Sequence, residues 1–169
     1  INCGRISDDQ FKKYVDSFQS GGISKMAFIS YDEMDVRANL IFNSNSGKIV
    51  GFTNEIEKNV EGLDFNKIKE NDVCKKVIQF FYTSICGRLT FPIGYFGISK
   101  NNHYKILVDS MDQYNILFNK YGIEIVGGSS DGYKVNTKFS KEQKVFKRYH
   151  HVFDFSHNVK NMRNFILNN

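Results

Sequence analysis

Apolar residues recur along the chain with two rhythms, one helical and one of strands, and the alternation of these rhythms predicts the elements. In DDQFKKYVDSFQS, residues 8–20, Phe11, Val15 and Phe18 fall at helical spacing, Asp8 or Asp9 can cap the helix, and Gly21-Gly22 ends it. KMAFISYD then predicts a central strand. NLIFNSNSGKIVGF, residues 39–52, reads as a hairpin, two apolar runs around a turn of Asn, Ser and Gly. Residues 53–72 are charged and Asn-rich and predict a loop. From Val73 to Ser99 the chain is β-like, with Val77, Ile78, Phe80, Phe81, Tyr82 and Ile85 suited to a long strand. Pro92 predicts a bend or an edge there, because it has no N–H to give to a ladder.

The rhythm turns helical again from about His103 to Tyr121. Ile106, Leu107, Met111, Tyr114, Leu117, Phe118 and Tyr121 share a broad face, and Gly122 is a stop. IEIVGGSSDG predicts a short strand, residues 132–148 a polar, basic helix or loop, and YHHVFDF another short strand. SHNVKNMRNFILNN predicts a last helix capped by Ser156. Strands that precede a strand–helix alternation predict an α/β fold with a mixed sheet.

Composition narrows the class without naming a function. A chain of 169 residues, 41% hydrophobic, suits one domain with a real core. The net charge of +5 permits nucleic acid or another anionic surface as a partner without demanding one. Cys3, Cys74 and Cys86 are too sparse and irregular for a disulfide scaffold, and they fit a reducing compartment as small buried apolar groups. No apolar run is long enough to cross a bilayer, so no membrane is expected. The secretory pattern is absent, and the first residue is Ile rather than Met, which suggests a chain cut from something longer.

The acids carry the chemistry. Asp32 follows MAFISY, Asp131 follows IEIVGGSS, and Asp154 sits in HHVFDF, each at or just past the end of a predicted strand. Strand ends are rigid platforms, and ligands of α/β sheets gather at the carboxyl ends of strands. If the strands of Asp32 and Asp131 are neighbours, their carboxylates face one pocket, where a divalent ion would relieve their repulsion. The other reading is that Asp is common at strand ends because its side chain bonds the local backbone. Spacing alone leaves both open, for neither HExxH nor a Walker loop is present. Glu33, one residue after Asp32, should point away from that pocket, towards solvent or a salt bridge. His150 and His151 adjoin in a strand pattern, so they face opposite sides and do not jointly hold an ion.

Basic residues gather near the end. His157, Lys160 and Arg163 follow one another at three-residue spacing on one helical face, and Lys147 and Arg148 close a run that includes Lys138, Lys141 and Lys144. They are the candidate DNA contacts, with a solvated helix face as the alternative.

Five blocks in order, ISYDEMDVR, KIVGF, FPIGYF, YGIEIVGGSSDGYKVN and FDFSHNVKNMRN, resemble the RNase H-like catalytic core of P element-type DNA transposases, a group that includes THAP-domain-containing transposases and their domesticated relatives. The resemblance covers residues 24–169, with residues 1–23 as an N-terminal helix and linker. It implies an RNase H-like α/β fold, a βββαβαβ core around a mixed sheet flanked by helices and truncated at its C-terminus. It also implies that Asp32 and Asp131 are the catalytic, metal-holding pair for Mg²⁺ or Mn²⁺, with Asp154 as a candidate addition. The family's third acid is a Glu on a late helix beyond an inserted domain associated with GTP, and neither is matched here, so GTP is expected only of a longer parent. The zinc-binding THAP module is not matched either.

The implied activity is metal-dependent phosphodiester hydrolysis and strand transfer at transposon ends. The implied partners are transposon-end and target DNA, with self-association of the full-length protein, and the implied location is the nucleus. The alternatives are a domesticated, catalytically inactive domain that binds DNA or a protein, and an unrelated α/β domain whose acids cap turns.

Overall fold

A computed structural model of the protein describes residues 4–18, 25–53, 57–85, 89–99, 101–142, 149–154, 159 and 163. In chain order the elements are β1 (Gly4–Arg5), α1 (Asp8–Phe18), β2 (Met26–Asp35), β3 (Ile41–Asn43), β4 (Lys48–Val50), β5 (Glu57–Asn59), β6 (Lys76–Ser84), β7 (Thr90–Ile98), α2 (His103–Lys120), β8 (Glu124–Ser130), α3 (Lys134–Glu142) and β9 (His150–Phe153). Six strands form one mixed sheet in the order β1-β7-β6-β2-β8-β9, and β3-β4-β5 form a second, smaller sheet. β2, β6 and β7 are an antiparallel meander, whereas β8 runs parallel to β2 and β9 parallel to β8. With β3–β5 set aside, the order from β2 onwards is the expected βββαβαβ.

Alternation along the strands decides where the core sits. On β2, Ala27, Ile29 and Tyr31 are buried, and across the ladder Ile29 pairs with Tyr82 and Tyr31 with Phe80. Phe11 of α1, Leu107, Met111, Tyr114 and Phe118 of α2, and Phe139 of α3 join them in one buried cluster, so the described helices share that face. The Phe11 and Phe118 rings stack with centroids 4.6 Å apart. Segment 4–18, placed by sequence ahead of the core, is thus built into it, and β1 also pairs with β7.

Two expectations change. Residues 53–72 are not only loop, because Glu57–Asn59 pairs with β4 as a third strand; the short segment has no alternating apolar signal, and its pairing comes from β4. Pro92 lies inside β7, where the register against β6 shifts between Phe80 and Phe81, so a local irregularity accommodates the missing N–H.

Candidate functional site

β2 and β8 are parallel neighbours in the middle of the sheet, with Ser30 opposite Ser129. Continuing both strands by two residues brings Asp32 and Asp131 to the same sheet end. β9 adds a third acid: Ser130 pairs with Phe153, and the Asp154 N–H donates to the Ser130 carbonyl at 2.9 Å. Asp32, Asp131 and Asp154 accordingly line one small cavity of about 160 Å³ with Ser30, Tyr31, Phe81, Ser129 and Ser130. The Gly127-Gly128 pair lets β8 run through this crowded centre. A Cβ on Gly128 would lie 2.2 Å from the Tyr149 hydroxyl, and one on Gly127 would lie 2.3 Å from the His150 carbonyl.

The cavity is lined by three carboxylates and, among the described residues, by no cationic side chain. Carboxylates gathered in one place repel one another, and a hard, oxygen-seeking divalent ion relieves that repulsion. The donor chemistry of Asp32, Asp131 and Asp154 therefore fits Mg²⁺ or Mn²⁺. Among the described residues, no group of three or more His, Cys, Asp or Glu side chains is already arranged to hold a metal ion.

Asp131 is held by its surroundings. Its Oδ1 accepts the Tyr133 N–H at 3.1 Å and the Asn136 side-chain N–H at 2.7 Å. Asn136 is 1% exposed, and its amide also reaches Glu33 Oε1 at 3.5 Å. Only the amide nitrogen can donate towards two carboxylates, which fixes the orientation of the amide. Asp32 Oδ1 accepts the N–H of Glu33 at 2.9 Å.

Glu33 departs from expectation. Alternation does separate it from the acid cavity, but it goes into the protein rather than to solvent: it pairs with Ile78 on the core face, and its side chain is 11% exposed. Burial and the nearby Asp131 push its carboxyl above the usual carboxylate range. His103, at the start of α2, places Nε2 3.1 Å from Glu33 Oε1. Burial holds His103 down to about 4, so the ring is neutral at physiological pH, and its Nε2 makes no hydrogen bond of acceptable geometry. Two charged partners are not facing each other here; a neutral imidazole abuts a reluctant carboxylate.

His150 is exposed and His151 half-buried, on opposite sides as alternation predicts, and His151 Nε2 lies 3.0 Å from Ser130 Oγ. Of the candidate DNA contacts, Arg163 is helical and exposed, while Lys147, Arg148, His157 and Lys160 lie outside the described residues. Lys138 of the same basic run sits over the Tyr104 ring at 4.6 Å. Cys74 is a buried free thiol, and no described helix is long and apolar enough to cross a membrane. His103 and Asn136 were not singled out from the sequence. Asn136 ends the block GGSSDGYKVN, and its place one turn into a helix behind Asp131 was the available signal.

A mixed sheet in βββαβαβ order, with acids at the ends of its central parallel strands, defines an RNase H-like fold of the transposase kind. The TNP-like, RNase H N-terminal domain family matches residues 7–144, and the chain belongs to that family. Its fold is similar to that of a solved structure, the Drosophila P element transposase strand transfer complex, at a TM-score of 0.57 and 17% identity. That match covers 97% of this chain and 34% of the other, so the chain spans about a third of that structure's length. No curated protein sequence matches the chain.

Proposed function

We propose that the protein is the catalytic core of a DNA transposase that hydrolyses phosphodiesters and transfers strands at transposon ends. The observation that carries this reading is the delivery of Asp32 and Asp131 to one cavity by the parallel neighbours β2 and β8, in a chain of a transposase-like RNase H family. Asp32 and Asp131 would hold the Mg²⁺ or Mn²⁺ of the reaction, with Asp154 as the further carboxylate within reach of the cavity. When bound, such ions supply charge neutralisation and activation of water or of a DNA 3′-hydroxyl. The chain's own part is to orient the acids. Asn136 and the Tyr133 N–H occupy Oδ1 of Asp131, which leaves Oδ2 without a partner among the described residues and free to face the cavity. Arg163, with Lys147, Arg148, His157 and Lys160, would meet the phosphate backbone. Such work on chromosomal DNA belongs in the nucleus, and joining two transposon ends implies self-association.

A second reading, a transposase-derived domain that binds DNA or a protein without catalysis, is favoured by the lack of a ready-made three-ligand metal group among the described residues. A gel assay of transposon-end DNA with Mg²⁺, Mn²⁺ or chelator, run beside a binding titration, separates the two. Divalent-dependent nicking that Asp32→Asn and Asp131→Asn each abolish, with DNA affinity unchanged or slightly raised, supports the catalytic reading. Binding without nicking supports the second. Full cleavage by Asp32→Asn removes that residue from the site.

A further inference from the structure

A second and larger cavity, about 810 Å³, opens beside Glu33. Glu33 and His103 form part of its wall, Tyr133 stands at it, and the segment leading into β6 closes it opposite. Its size falls in the range of small-molecule sites. We propose that this cavity receives one unpaired nucleobase of a DNA strand, stacked on Tyr133. The inference rests on the DNA-processing reading above and adds a subsite to it.

Two observations point to a base rather than to a phosphate or a metal. First, Tyr133 offers an aromatic face. It is 49% exposed, and its inner side is backed by the His103 ring at 6.1 Å between centroids and 13° between planes. A ring already braced from behind loses little freedom when a base stacks on its outer side, and stacking is indifferent to base identity.

Second, the wall discourages phosphate. Among the described residues it carries four acids and three lysines, and two of those lysines are engaged, Lys75 with Glu70 at 2.6 Å and Lys76 with Asp35 at 3.4 Å. Lys58, the third, lies over the Phe52 ring at 4.7 Å. With two of these lysines already paired, the described wall offers little cationic charge to a polyphosphate and tolerates a neutral ring with hydrogen-bonding edges.

Position makes the subsite useful. The Tyr133 N–H is bonded to Asp131 Oδ1 at 3.1 Å, so the stacking ring and the acid move as one piece. Two residues of chain keep their Cα atoms within about 7 Å of each other. A base held on Tyr133 would set which phosphodiester lies over Asp32 and Asp131.

The test uses DNA duplexes with a single-stranded overhang that carries 2-aminopurine at one position at a time. The chain has no Trp, so the probe's emission is not masked by indole. Binding is followed by anisotropy of a distant dye, stacking by 2-aminopurine intensity, and folding by circular dichroism. The expected result is an intensity change at one overhang position and not at its neighbours. Tyr133→Ala abolishes that change and weakens overhang binding by roughly 5- to 150-fold, the loss of one base–aromatic stack. Tyr133→Phe keeps both. An intensity change spread evenly over the overhang, or one that survives Tyr133→Ala, overturns the inference. So does bound DNA with no intensity change anywhere, which leaves the DNA-processing reading standing. Absence of any anisotropy change removes the DNA reading and the subsite together.

Discussion

The acid cavity and the corner beside it hold the same kind of side chain for opposite reasons. Asp32 and Glu33 are adjacent in the chain, yet Asp32 is exposed beside Asp131 and Asp154, while the Glu33 side chain is 11% exposed beside neutral His103. The pleat of one strand sends them to different media. At the strand ends the carboxylates gather round a cavity with the oxygen donors that suit a divalent ion; on the core face a carboxyl is pushed towards its neutral form. Asp131 joins the two regions, for it lines the cavity and accepts a hydrogen bond from the Asn136 amide that also reaches Glu33. Charge content therefore says little about a carboxylate's role until its face of the sheet is known.

The sharpest way to break this comparison is to neutralise the shared member. Asp131→Asn should lower divalent-dependent cleavage by more than the 10–100-fold that follows loss of an outer-shell partner. Glu33→Gln, tested alongside in the same gel assay, should stay well inside that range. Equal losses would show that the two regions are one site.

Asn136→Ala comes next. It removes the donor at 2.7 Å from Asp131 while the backbone bond from Tyr133 remains. Cleavage should drop by about 10–100-fold, and chemical denaturation should show a loss of about 1–3 kcal/mol from the carboxylates left under-bonded. Full activity with lowered stability would make Asn136 a structural residue only.

A smaller effect separates the media directly. The folded-state value of His103 lies at about 4, below its ordinary 6.5, so the stability gained by keeping it neutral is complete above 6.5 and is lost as pH falls through about 4. Glu33 is shifted upward, so its contribution has the opposite sign: complete below the ordinary carboxylate value and lost as pH rises through the raised one. Glu33→Gln deletes only the second response. The variant should melt at or above the wild-type temperature at neutral pH and lose stability faster on acidification from 6.5 towards 4. Melting curves that keep a constant offset across that window would mean Glu33 is solvated.

The smallest change expected is at the periphery. Arg163→Ala should weaken DNA binding uniformly across sequences and reduce the salt dependence by about one phosphate contact, read from titrations at several salt concentrations. A change in sequence preference would instead mean that Arg163 reads bases.

The elements were legible because their signals are local. The 3.6-residue rhythm of α2, the alternation in β2 and the turn residues between β3 and β4 need no partner to be recognised. The strand-end positions of Asp32, Asp131 and Asp154 followed from the same patterns. β5 escaped because a three-residue strand owes its conformation to β4.

What lay beyond the sequence was pairing and medium. That β2 and β8 are parallel neighbours, that Glu33 is half-buried opposite Ile78, and that Asn136 and His103 stand behind the acids depend on contacts between distant segments, 103 residues apart for Glu33 and Asn136. Spacing along the chain records which face a side chain takes within its own element. Only the folded sheet decides what that face meets, and hence whether a carboxylate there keeps its charge.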